Sequence, residues 1–219
     1  MDGPTGPMGP TPSPGLSLDT ALQTVVEHYL LADLQTMQDE IPWRESGAVC
    51  YPMLISVIAG SELLGALTGG RAKFEVQHYW TSYMSRVNSL YVELGPLAQD
   101  ILRNGLMHSY MTKPGVGVVR GIPDIHLTID DRGLLLLDCV SLAKDFHDSY
   151  AHYARPHIDA NRDAAQSGLD RVVREMTAIR AEKTRNAINE ALFPKTRPTP
   201  NVARISGVYV PIGASQYPG

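Results

Sequence analysis

Apolar residues recur every three or four positions over most of this chain, which is the spacing of one face of an α-helix. The first run follows Ser17, a residue type that caps helix N-termini, and stops at Pro42. The second run, from near Pro52 to Gly69-Gly70, is apolar on nearly all sides and predicts the central helix of a bundle. Four more helices are predicted, over Val76 to Leu94, from Pro96 to just before Lys113, from Leu142 to Pro156, and from about Gly168 to Phe193.

Between the fourth and fifth helices the spacing changes from helical to alternating. Ile125, Leu127 and Ile129 alternate with polar residues, and the turn-forming run Asp131-Arg132-Gly133 leads into another apolar segment. The predicted fold is therefore mostly α, an up-and-down helical bundle with a β-hairpin inserted at about 115–139. The predicted domain organisation is a disordered Pro/Gly-rich tail at 1–15, one helical domain at 16–193 and an extended C-terminal tail at 194–219.

The composition is that of a soluble globular protein, with 43% hydrophobic and 19% charged residues among 219. The longest apolar stretch, Tyr51 to Leu67, contains Ser56 and Glu62, so it is interpreted as a buried helix, and no membrane span or signal peptide is predicted. The two cysteines have no metal-binding spacing, which indicates reduced thiols in the core and a cytoplasmic location.

The net charge of −4 is unevenly distributed along the chain. Residues 1–154 carry 9 Lys and Arg against 17 Asp and Glu, whereas residues 155–219 carry 10 against 6. This acidity argues against a protein that coats nucleic acid without specificity. The basic C-terminal third is either the solvated face of the last helix or a surface that holds RNA phosphates or an acidic partner.

Three residues with complementary chemistry come together at the end of the fourth predicted helix. Asn104 and His108 are four residues apart and share a helix face, and the long side chain of Arg103 can reach the same place. A guanidinium binds a phosphodiester through its planar fork, and an imidazole accepts or donates a proton at neutral pH. These residue types predict a site that binds a phosphodiester and transfers protons around it.

Glu62 is a second candidate because it is the only charged residue between Glu45 and Arg71, in the most apolar helix. An unpaired charge on a buried helix is costly, so a cationic partner is expected, and Arg103 is the first choice. The alternative is that Glu62 emerges from the helix edge into solvent.

The order Arg103-Asn104-x-x-x-His108-x-Tyr110 resembles the signature of the HEPN superfamily of helical-bundle endoribonucleases. The form with a tyrosine is similar to that of HEPN toxins whose antitoxin is a nucleotidyltransferase. The resemblance implies a homodimer in which two such helices meet and form a composite site. It also implies metal-independent RNA cleavage by attack of the ribose 2′-OH, without a cofactor, in a toxin–antitoxin or antiphage setting. The candidate catalytic residues are Arg103, His108 and Asn104, and the candidate substrate-binding residues are Tyr110, Glu62 and Lys113.

Two other readings stay open: a catalytically inactive HEPN-like bundle that only dimerises or binds a partner, and an unrelated helical interaction protein. The same family spacing also occurs in two pairs that lack the Asn and Tyr, Arg71 with His78 and Arg120 with His126. Replacement of His78 or His126 by alanine is expected to leave RNA cleavage as in the wild type. No metal site is predicted, because the histidines of 147–157 are spaced by five. The aromatic residues of the third helix are expected to pack in the core rather than to stack on bases, namely Tyr79, Trp80, Tyr83 and Tyr91.

Overall fold

A computed structural model describes residues 16–42, 44, 49–104 and 115–177. This part of the chain contains six helices and a small three-stranded sheet, so the prediction of a mostly α fold is confirmed. The predicted tails at 1–15 and 194–219 lie outside the described residues. The helices are α1 (18–39), α2 (Cys50–Leu67), α3 (Glu75–Ser82), α4 (91–103), α5 (139–160) and α6 (Arg162–Thr177), and the strands are β1 (Val116–Val119), β2 (Thr128–Ile129) and β3 (Leu135–Asp138).

Both ends of α1 follow the sequence prediction. At its start the hydroxyl of Ser17 accepts a hydrogen bond from the backbone N–H of Thr20 at 3.2 Å. At its end the buried guanidinium of Arg120 donates to main-chain carbonyl oxygens of α1 and of the residues after it. Since the last carbonyls of a helix have no intrahelical donor, this arginine ties the loop after β1 to the end of α1.

Helix α2 is the central helix, as predicted. It is long and apolar enough to cross a membrane by length and composition alone, but it packs against α1, α3 and α5 as the core helix of a soluble domain does. Its small residues serve close contacts inside the fold. A Cβ on Gly65 would lie 2.1 Å from the carbonyl oxygen of Glu75, and one on Gly60 would lie 2.6 Å from Phe146.

The predicted boundary between the third and fourth helices is wrong. Helix α3 stops at Ser82, and α4 begins at Tyr91, so Pro96 lies inside α4 rather than at its start. The chain reverses between them, and Gly95 of α4 packs onto the carbonyl of Gln77. The apolar spacing continues across this turn, so the sequence does not reveal where α3 ends. The packing of α4 against α3 at Gly95 accompanies the reversal of the chain.

The second half of α4, Ala98–Arg103, is π-helical. Pro96 lacks the N–H that would bond the carbonyl of Val92, so the ordinary hydrogen-bond pattern is already interrupted just upstream. In a π-helix each N–H bonds five residues back, and each residue turns less than the 100° of an α-helix. The direction of the Arg103 side chain therefore does not follow from ideal α-helix geometry.

The predicted hairpin is present in β2 and β3, which pair antiparallel with Ile129 opposite Leu135. The carboxylate of Asp130 accepts hydrogen bonds from the backbone N–H groups of Arg132 and Leu134, and this contact shapes the turn. The sheet also contains β1, which pairs in parallel with β3 and gives the strand order β1-β3-β2. A parallel pairing between distant segments leaves no local sequence pattern.

Two predicted ends in the last helices are also wrong. Helix α5 does not end at Pro156 but continues to Ala160, because the π-helical segment Tyr150–Ala154 directly precedes the proline and relaxes the regular bonding pattern. Helix α6 begins at Arg162 rather than near Gly168, and its predicted end lies outside the described residues. Gly168 instead marks a helix crossing, since its Cβ would lie 2.2 Å from the carbonyl oxygen of Ala66.

Candidate functional site

Arg103 and Glu62 form an ion pair between the end of α4 and the middle of α2. The Nη2 atom of Arg103 lies 3.1 Å from Oε1 of Glu62, which confirms the predicted pairing. The two side chains are 32% and 37% exposed, so solvent screens the pair and its contribution to stability is about 0–1 kcal/mol. Its main consequence is that it favours one orientation of the guanidinium, towards α2.

Arg103 retains hydrogen-bonding capacity after these contacts. Its Nη1 donates to the side-chain oxygen of Asn104 at 3.2 Å. Its Nε–H is buried and has no acceptor among the residues that the structure describes, and Oε1 of Gln99 on the same π-helical turn is buried and has no donor among them. A buried donor without an acceptor costs about 1–3 kcal/mol, so such groups are concentrated where another group is bound.

The structure thus brings Arg103, Asn104 and Glu62 together at the end of α4. The remaining candidate residues, His108, Tyr110 and Lys113, lie outside the described residues. The convergence of His108 with Arg103 and Asn104 stays a prediction.

A second polar network lies at the other end of α4 and involves His126, which the sequence did not assign to the candidate site. The backbone N–H of Asp138 donates to Nδ1 of His126 at 3.1 Å, so Nδ1 carries the lone pair and Nε2 carries the proton. Nε2 donates to the hydroxyl of Tyr91 at 2.9 Å, and Tyr91 donates to the carboxylate of Asp145 at 2.8 Å. Burial and the nearby Asp145 carboxylate raise the pKa of Tyr91 well above its usual value.

This network joins three separate elements: the first residue of α4, the loop before β2, and α5. The side chain of His126 is only 7% exposed, and Tyr91 is fully buried. Sequence reasoning missed the network because its members are far apart in the chain. The arrangement fixes the position of α4 relative to the hairpin, and so positions the helix that carries Arg103.

The two cysteines are free thiols, and their geometry suits a packing role. Cys139 is buried, and its pKa is raised by burial and by the neighbouring Cys50 thiol. A protonated, buried thiol is a poor nucleophile and a poor metal ligand, so the prediction of core packing is confirmed for Cys139.

Acidic and histidine side chains are dispersed over the described part of the chain. Within residues 16–42, 44, 49–104 and 115–177, no group of three or more His, Cys, Asp or Glu side chains is placed to hold a metal ion. His147, His152 and His157 are exposed on successive turns of α5, as the sequence predicted.

Comparisons of the whole chain with protein-family models, with curated proteins and with solved structures find no match.

Proposed function

We propose that this protein is a metal-independent endoribonuclease of the HEPN type, cytoplasmic and homodimeric, in a toxin–antitoxin or antiphage defence setting. The observation that carries the proposal is the arrangement of Arg103. Its guanidinium is oriented by Glu62 and Asn104 at the end of α4, and His108 follows five residues later in the sequence. A nucleotidyltransferase or another antitoxin is the proposed partner.

The reaction requires two proton transfers, and it requires stabilisation of the negative charge that develops on the phosphate oxygens. The ribose 2′-oxygen attacks the adjacent phosphorus and loses its proton, the bond from phosphorus to the 5′-oxygen breaks, and the leaving 5′-oxygen gains a proton. An imidazole with a pKa near about 6.5 is suited to either transfer at neutral pH, and a dimer supplies two copies of His108. The guanidinium of Arg103 would stabilise the charge that develops on the phosphate oxygens.

Glu62 contributes by holding Arg103 rather than by binding a metal. The carboxylate lies 3.1 Å from the guanidinium and favours the orientation of Arg103 seen in the structure. Preorganised donors stabilise a transition state more effectively than mobile ones, because they do not need to reorganise during the reaction. Tyr110 and Lys113 follow in the sequence as proposed contacts to the RNA.

RNA cleavage is expected to persist in excess chelator, because the proposed proton transfers use His108 and the phosphate charge is balanced by Arg103. The test is incubation of purified full-length protein with total RNA in the presence of EDTA, with products resolved on a denaturing gel. The control is the same preparation with added magnesium, which is expected to change the rate little. Activity that disappears with EDTA and returns with magnesium would contradict the proposed chemistry.

We expect a homodimer whose interface contains α4. Exposed apolar side chains at the start and in the middle of this helix support the expectation. Leu90, the residue that caps the start of α4, and Leu97 lie seven residues apart and therefore on the same side of the helix. The side chains of Leu90, Val92 and Leu97 are between 43% and 49% exposed. Leu97→Glu places a charge in this surface and is expected to convert the dimer to a monomer. Light scattering at micromolar concentration should give twice the 23.9 kDa of one chain for the wild type.

The matched control for this experiment is Ile129→Glu, which places the same charge on a side chain that is 71% exposed in β2. It is expected to leave the dimer intact. A wild-type protein that is monomeric at micromolar concentration would rule out the composite site. Dimerisation without cleavage would instead favour the inactive HEPN-like bundle.

A further inference from the structure

The connection between α2 and α3 forms an open cleft of about 500 Å³ on the surface. Phe74 lies in this cleft and is 55% exposed, although it directly precedes a helix whose other aromatic residues are buried. A ligand that covers this ring would remove its apolar surface from water, which is favourable. The lining residues are Gly69, Arg71, Phe74, Gln77, His78 and Thr81.

The cleft is positively charged on a chain whose net charge is negative. Arg71 and Lys73 are both exposed, and neither side chain forms a hydrogen bond or an ion pair in the part of the chain that the structure describes, although the backbone carbonyl of Arg71 accepts from the N–H of Phe74. The carboxylate of Glu75 points away from the cleft. Glu75 is 7% exposed, and its Oε1 lies 3.4 Å from Nη2 of Arg171. The cleft lining therefore carries a cation and no carboxylate, which suits a phosphate.

His78 and Gln77 supply hydrogen-bonding groups to the same cleft. The Nε2 atom of His78 lies 3.2 Å from the carbonyl oxygen of Thr68, so it carries the proton and Nδ1 is left as an acceptor. Burial lowers the pKa of His78, and this favours the neutral ring at neutral pH. The side-chain amide of Gln77 offers both a donor and an acceptor.

We propose that this cleft binds one unpaired nucleobase of RNA, with Phe74 stacked on the base and Arg71 and Lys73 on the neighbouring phosphates. Gln77 and His78 face the edge of the base. Stacking on an exposed aromatic ring combined with cations along the backbone is how proteins hold single-stranded nucleic acid. The inference rests on the proposed ribonuclease activity and adds a substrate subsite to it.

The position of the cleft suits an RNA strand that also reaches Arg103. Gln77 and Thr81 of α3 pack against Gly95 of α4, and Arg103 lies eight residues further along α4. Six of these eight residues are π-helical and rise less than α-helical residues do, so Gly95 and Arg103 are less than roughly 12 Å apart along the helix axis. A short single-stranded segment spans a distance of this order, so an RNA strand held at the cleft can also contact Arg103 through a phosphate.

The test measures binding with a probe that the proposed reaction cannot cut. A fluorescein-labelled single-stranded 2′-O-methyl RNA lacks the free 2′-OH, so the full-length wild-type protein can be used and its affinity measured by fluorescence anisotropy. Phe74→Ala is expected to weaken binding about 5- to 150-fold, the range found when one stacked base loses its aromatic partner. Phe74→Trp retains a stacking surface and is expected to bind within a few fold of wild type.

The matched control is Tyr29→Ala, which removes another aromatic ring that is 62% exposed but lies on α1 away from the cleft. It is expected to bind RNA as the wild type does. The thermal unfolding of each variant is measured alongside, and Phe74→Ala should unfold like the wild type because its ring is exposed.

Wild-type affinity in Phe74→Ala, or an equal loss in Tyr29→Ala, overturns the cleft assignment. Cleavage that depends on His108 but not on Phe74 overturns the subsite and leaves the ribonuclease proposal standing. Double-stranded RNA that binds as tightly as single-stranded RNA, in a Phe74-dependent way, overturns the unpaired base as the occupant. If the wild type neither binds nor cleaves RNA, both proposals fail.

Discussion

Replacement of His108 by alanine is expected to reduce RNA cleavage at least about 10²–10⁴-fold, because general acid–base catalysis contributes a factor of that size. The loss should occur with the fold and the dimer intact. It should also relieve any growth defect that expression of the wild-type protein causes. The measurement is the initial rate of RNA cleavage by purified variant and wild type at equal concentration of folded protein.

If His108 only stabilises the end of a helix, its replacement would have a different effect. Its charge near a helix C-terminus stabilises the fold by about 0.3–1 kcal/mol, so its loss would lower the melting temperature while each folded molecule kept its activity. His147→Ala is the matched control, since His147 is 53% exposed on α5 and its ring lies 3.8 Å from the Asp148 carboxylate. Near-normal specific cleavage by His108→Ala, in a sample free of other nucleases, would favour the inactive bundle.

His126→Ala is expected to lower the free energy of unfolding by about 2–4 kcal/mol. The substitution removes a buried ring and leaves the backbone N–H of Asp138 without its acceptor. It also removes the donor to the hydroxyl of Tyr91, which keeps its own hydrogen bond to Asp145. Each buried polar group that loses its partner costs about 1–3 kcal/mol, and the space left by the ring adds to this. From the sequence alone, His126→Ala is expected to cleave RNA as the wild type does, and the loss of stability is expected only from the contacts in the structure.

Urea unfolding followed by circular dichroism measures this effect directly. His147→Ala is again the control, and as an exposed substitution it should stay within about 0.5 kcal/mol of wild type. Since His126 joins the start of α4 to the hairpin and to α5, the variant should also place Arg103 less precisely and cleave more slowly. Wild-type stability of His126→Ala would show that the polar network does not hold these elements together.

The part of the candidate site that the sequence could predict is the pairing of Glu62 with a cation. Glu62 is the one carboxylate in a strongly apolar helix, so its need for a cation pointed to Arg103, and the ion pair at 3.1 Å bears this out. The aromatic residues of the third predicted helix were also interpreted correctly. Tyr79, Trp80 and Tyr91 are buried, and Trp80 donates its indole N–H to Ser61 on α2.

Phe74 shows where such reasoning stops. It falls next to these buried aromatic residues and has the same chemistry, so periodicity gave no reason to single it out. Its exposure depends on the path of the turn after Gly69-Gly70, where Gly69 has a φ of 96° and Lys73 a φ of 71°. Left-handed conformations at these two positions turn the chain so that the ring before α3 faces solvent.

The sequence by itself determined the elements whose signals are local. The cap at Ser17, the apolar α2 and the turn at 131–133 each depend on neighbouring residues, and each is present where it was predicted. Only the tertiary structure decided where α4 begins, which strand pairs with β3, and that His126 meets Tyr91 and Asp145. These features depend on contacts between segments far apart in the chain, and the free energy of such contacts leaves no periodic pattern in the sequence.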